Sequence, residues 1–127
     1  MLDNKINETN INHLVKVFYS KVLKDEIISP FFIDKLGNKM DSEEWQKHIV
    51  IISDFWLTVS TGKGTYNGSP FAPHMQINGL KKESFERWLK LFFETLDEIF
   101  IEEIANSFKK RSSIIASNFI RNLGIYN

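Results

Sequence analysis

Cysteine is absent from this 127-residue chain. That excludes disulfide staples, zinc or iron–sulfur sites built on thiolates, and covalent haem attachment through C-x-x-C-H. An excess of one charge is also missing. Lys+Arg and Asp+Glu number 16 each, for a formal net charge of +0, whereas a general nucleic-acid binder carries a basic surplus. No apolar run approaches the ~18 residues that a membrane span needs. The opening Met1-Leu2-Asp3-Asn4-Lys5-Ile6-Asn7-Glu8 has acids and amides where a secretion signal would have a basic start and an apolar stretch. The expectation is a cytoplasmic protein with neither nucleic acid nor membrane as its partner. Period-2 alternation is lacking throughout, so a sheet is not expected.

What is present is helical periodicity and aromatic rings. The chain is 43% hydrophobic and 25% charged, the balance of an ordinary globular protein. Its length suits a single domain over 1–127. Rings make up 13% of residues, with Phe 11, Trp 3 and Tyr 3. Such a chain either has a bulky core or wraps something flat and apolar. Thr9 is a candidate cap for a first helix whose stripe runs Ile11, Leu14, Val15, Phe18, Tyr19, Val22, Leu23. Lys24-Asp25-Glu26 marks a polar exit. Pro30 disfavours helix at Ser29, so Ile27 to Ile33 reads as a turn carrying Phe31 and Phe32 into the core. Asp41 and Glu44 have the spacing of a capping box. The helix they open carries Trp45, His48, Ile49, Ile52, Phe55, Trp56 and Val59, and ends near Ser60-Thr61-Gly62. Residues 62–73, broken by Gly62, Gly64, Gly68, Pro70 and Pro73, form an extended loop, and His74 follows at once. Two more helices carry Phe85, Trp88, Leu89, Phe92, Leu96, Ile99, Phe100 and then Ile104, Ala105, Phe108, Ile115, Ala116, Phe119, Leu123. The fold class is all-α: a bundle, a globin-like packing or an interaction module.

Familiar motifs fail on inspection. Thr61-Gly62-Lys63-Gly64-Thr65 has the wrong order for a phosphate loop and follows a helix. Glu44 and His48 are four apart, but the chain has no Glu-x-x-His and no His-Glu-x-x-His, so neither a di-iron bundle nor a zinc protease fits. Lys109-Lys110-Arg111 reads as a solvated helix face. His74 is either an exposed loop histidine or an axial iron ligand. Tyr19, His48 and Trp88 are each an ordinary core residue when taken singly. As a set they place one hydrogen-bonding ring on each of three apolar stripes, and burying three polar tips is costly unless each finds a partner. One pocket can satisfy all three, and beside a histidine on a short segment it describes a diatomic-ligand site over haem.

The chain resembles the group III truncated haemoglobins of microaerophilic bacteria, essentially end to end. The resemblance is carried by Phe18-Tyr19-Ser20-Lys21-Val22, Ser29-Pro30-Phe31-Phe32, Glu43-Glu44-Trp45-Gln46-Lys47-His48, Phe55-Trp56, Gly64-Thr65-Tyr66-Asn67-Gly68-Ser69-Pro70 leading to His74, and Phe85-Glu86-Arg87-Trp88-Leu89-Lys90-Leu91-Phe92. No Gly-Gly pair occurs, which fits group III, since groups I and II usually carry such motifs. The resemblance implies a globin-like two-over-two helical sandwich around non-covalent haem b. His74 would be the proximal iron ligand, Phe32 would pack on the haem face, and Ile52 and Phe55 would line the pocket. Tyr19, His48 and Trp88 would be the distal residues that stabilise bound ligand. Lys47 and Tyr66 are propionate candidates by nearness in sequence.

The implied function is reversible binding of O₂ and other small ligands (CO, NO, cyanide), serving oxygen transport or NO and peroxide detoxification. An NO dioxygenase or peroxidase-like turnover would need a separate reductant, because the chain carries no flavin or nicotinamide domain. The expected assembly is a monomer or weak dimer. Two alternatives stand beside this: an oxygen buffer or sensor without turnover, and a cofactor-free interaction module in which His74 is dispensable.

Overall fold

A computed structural model describes residues 1–62 and 79–125. Among these described residues five helices run in order: α1 (Glu8–Val22), α2 (Ser29–Leu36), α3 (Glu43–Thr61), α4 (Lys82–Ile99) and α5 (Glu102–Asn122). No strand occurs among the described residues. A β-type bridge joins Asp3 to Phe100, where Asp3 N–H donates to the Ile99 carbonyl (2.8 Å) and Ile101 N–H donates to that of Asp3 (3.0 Å).

The expected caps are displaced by one or two residues. Asn7, not Thr9, caps α1: its side chain accepts from Asn10 N–H (2.8 Å), and the Asn10 amide oxygen accepts from Asn7 N–H (3.0 Å). Asn7 has the extended backbone that a cap requires, whereas Thr9 lies inside the first turn. Ser42, not Asp41, caps α3 by accepting from Trp45 N–H (3.3 Å). Glu43 and Glu44 then sit in the first turn, where the helix dipole favours negative charge. Gly62 closes α3 in the left-handed conformation, φ 76°.

The segment expected as a turn is helix α2. Pro30 falls in its first turn. There the fixed φ of proline suits a helix and its missing N–H has no intrahelical partner to lose, so the rule against helix before proline does not decide the outcome. Asp25, expected in a polar exit, is 5% exposed. Its carboxylate accepts from Ile27 N–H (3.1 Å), Ile28 N–H (3.0 Å) and Arg87 Nε (2.5 Å), tying the α1–α2 corner to α4. Burial pushes the Asp25 pKa up. The Arg87 hydrogen bond, those of Ile28 and Ile27, and the Arg87 charge outweigh it and hold the carboxyl below its ordinary value.

Helix α1 packs on both α3 and α4, and α4 packs on α5, so an α1/α3 pair faces an α4/α5 pair. The core between them holds Ile11, Leu14, Val15, Phe18 and Val22 of α1, Ile49 and Trp56 of α3, Phe92 and Leu96 of α4, and Ala105 and Phe108 of α5. A smaller cluster of Phe85, Ala116 and Phe119 closes one end of the α4/α5 pair. The basic run of α5 is only partly solvated. Lys109 pairs with Asp97 (2.9 Å) and lies over the Phe93 ring, and Arg111 donates to the Val59 carbonyl (2.8 Å). No described helix is long and apolar enough to cross a membrane.

Candidate ligand site at the α1–α3 junction

Helix α3 carries two stripes. Trp45, Ile49 and Trp56 are buried. His48, Ile52, Phe55 and Val59, at steps of four, three and four, are half-buried. The second stripe is therefore a margin of the core rather than its centre. His48 begins it, and there it meets α1.

Tyr19 of α1 is 3% exposed, and its hydroxyl oxygen lies 2.9 Å from His48 Nε2. Burial pushes the Tyr19 pKa up, so the hydroxyl keeps its proton across the working pH range and acts as a neutral hydrogen-bonding group. Apolar rings surround the pair. Phe32 of α2 stands 5.5 Å from the Tyr19 ring and 6.5 Å from His48. Trp45 stands 5.3 Å from Tyr19 and 5.7 Å from His48, and stacks on Phe32 at 6.3 Å. The sequence-predicted trio is thus not one hydrogen-bonded group. Tyr19 and His48 pair directly, while half-buried Trp88 of α4 is linked to Tyr19 through Phe18, at 5.2 and 5.0 Å between ring centroids. Ile52 and Phe55 follow His48 along the same stripe and pack against the core. His74 and Tyr66 lie outside the described residues. Lys47 forms an exposed ion pair with Glu43 at 3.2 Å.

Comparison with known proteins decides the family. The group 3 truncated hemoglobin ctb of Campylobacter jejuni is 40% identical over 114 residues, which cover 90% of this chain and 88% of that protein. The chain belongs to the group III truncated haemoglobins. A crystal structure of a group III truncated hemoglobin from Campylobacter jejuni agrees with this fold at TM-score 0.90 and 38% identity, covering 97% of this chain and 95% of that one. No family model matches the chain. The all-α paired-helix arrangement is therefore the truncated-globin fold.

In this truncated haemoglobin, sequence reasoning missed Trp45 as part of the site. It is fully buried, touches Tyr19, Phe32 and His48, and donates Nε1–H to the Gly37 carbonyl at 2.8 Å. Its sequence signals are its place about one turn before His48 on α3 and its membership of the Glu43–His48 stretch that carries the resemblance. Also missed was the Asp25–Arg87 link, which braces the segment leading to Phe32 against the helix that carries Trp88.

Proposed function

We propose that this truncated haemoglobin binds haem b non-covalently and uses it to take up O₂ and related small ligands. The observation that carries this is the Tyr19–His48 pair, 2.9 Å apart, set at the edge of an aromatic wall. The residues fit the group: a flat macrocycle needs half-buried apolar surface, which Phe32, Ile52 and Phe55 supply. Its ligand needs a few hydrogen-bond donors, which Tyr19 and Trp88 would supply, with His48 as the partner that sets the Tyr19 hydroxyl. His74 would hold the iron, and haem, when bound, would supply the redox-active iron that takes up diatomic ligands.

The chain's own residues set how long a ligand stays. Trp88 Nε1–H only donates. Tyr19 donates outward only when its oxygen accepts from His48, which requires the His48 proton on Nε2. With that proton on Nδ1, Nε2 accepts and the hydroxyl hydrogen is engaged. The tautomer of His48 thus governs the Tyr19 donor. Each buried donor contributes on the order of 1–3 kcal/mol, so two would slow ligand release roughly thirty- to twenty-thousand-fold. Such retention suits O₂ held for a second reactant, NO or a peroxide, more than an oxygen store. Electrons would come from a separate reductant.

The test is a visible absorption spectrum of the purified protein, oxidised, then reduced with dithionite, then with CO. A strong Soret band that moves at each step is expected, and His74→Ala should loosen the cofactor. No band, even after added hemin, would sink the proposal and leave a cofactor-free helical module.

A further inference from the structure

We propose that Trp45 is a positioning residue, anchored to the α2–α3 corner through its indole N–H, that holds the Tyr19 hydroxyl and the His48 ring in register. The inference rests on the reading of that pair as the ligand-facing donors. Trp45 has no exposed surface, and its Nε1–H donates to the Gly37 carbonyl at 2.8 Å. Gly37 has φ 82° and ψ −177°, a backbone conformation that only glycine adopts readily, so its carbonyl direction is set by the backbone. The indole therefore has a fixed peg at one edge. Its ring neighbours among the described residues include the three rings of the site: Phe32 stacked at 23°, Tyr19 tilted at 62° and His48 edge-on at 88°. The tilted packing leaves the polar edges of Tyr19 and His48 facing each other, where they share the 2.9 Å contact. A hydrogen bond loses strength steeply with misalignment. A wall that slips by a few tenths of an ångström therefore changes what Tyr19 can donate, although Trp45 need touch no ligand.

The test replaces Trp45 by benzothienylalanine, which keeps the ring shape and removes the N–H, and in parallel by phenylalanine (Trp45→Phe). Three readouts are taken on each: O₂ release rate, the C–O stretch of the reduced CO complex, and the His48 tautomer ratio by ¹⁵N NMR. The benzothienylalanine protein should release O₂ about tenfold faster, the equivalent of one hydrogen bond, with a shifted C–O stretch and a changed tautomer ratio. The rate effect should largely vanish when Tyr19→Phe is already present, because residues acting through one group are non-additive. Wild-type values in all three readouts would overturn the proposal, whatever Trp45→Phe does to thermal stability. So would a rate effect that persists undiminished in the Tyr19→Phe background. If no haem binds, the functional reading fails on its own, and the tautomer ratio of the purified protein still decides the role of Trp45.

Discussion

Two aromatic regions meet at Phe18, and they are built differently. Around Tyr19 the rings tilt against the phenol, at 62° to Phe32, 62° to Trp45 and 66° to His48, while Phe32 and Trp45 stack on each other at 23° as the wall beside it. Along the inner face of α4 they lie nearly flat: Trp88 on Phe92 at 23°, and Phe92 on Trp56 at 25°. Phe100 on Phe108 repeats this at 17°. Near-parallel rings cover apolar area and leave polar edges apart, which suits a core. Tilted rings direct an edge into the neighbouring face and can bring two polar edges together. The same residue types thus make a packing core in one place and a chemical site in the other.

Substitutions should separate the two regions. The largest effect is expected at Trp56, 2% exposed in the flat stack. Trp56→Ala should lower stability by about 3–5 kcal/mol, read by thermal or urea denaturation, without a specific change in ligand affinity per folded molecule. A small loss there would show that the stack is not the main core. Gly37→Ala comes next. A Cβ would meet nothing within 4 Å, so the cost is backbone strain of about 1–3 kcal/mol, and the Trp45 anchor should shift with it. Tyr19→Phe retains the ring and should cost less stability, yet it should speed O₂ release by about ten- to a hundredfold in stopped-flow mixing. An unchanged rate would dissolve the distinction between the regions. Trp88 belongs to both, edge-on to Phe18 and flat on Phe92, so Trp88→Phe should show a moderate share of each effect.

The smallest effect concerns acid. The Asp25 pKa is lowered from 3.8 in the folded protein, so its contribution is present above the unfolded value and is lost as pH falls through the lower folded value. Asp25→Asn should therefore flatten the fall of stability below about pH 4 in an acid titration. An acid limb identical to wild type would remove Asp25–Arg87 from the forces bracing the site.

Much of this was legible in the residue order. The α1 stripe from Ile11 to Val22 is buried as its spacing requires, and α3 ends at Gly62 as expected. The apolar stripes and the family resemblance point to Tyr19, His48 and Phe32 as site residues, and the three rings are neighbours in the fold. The errors were local competitions that residue types alone do not settle. Asn7 and Ser42 outcompeted Thr9 and Asp41 as caps because their backbones are extended at the right register. Pro30 starts a helix because it falls in the first turn and not the interior.

By itself, the sequence determined the helical class, the apolar stripes and the supply of hydrogen-bonding rings upon them. These follow from periodicity and propensity, which act between residues within a turn or two of each other. Only the tertiary structure decided that Tyr19 meets His48 across 29 positions, that Arg87 meets Asp25 across 62, and that Trp45 stands between Tyr19, Phe32 and His48. Those contacts depend on how α1 lies against α3 and α4. Packing of side chains from several helices sets that geometry, and no single stretch of the chain encodes it.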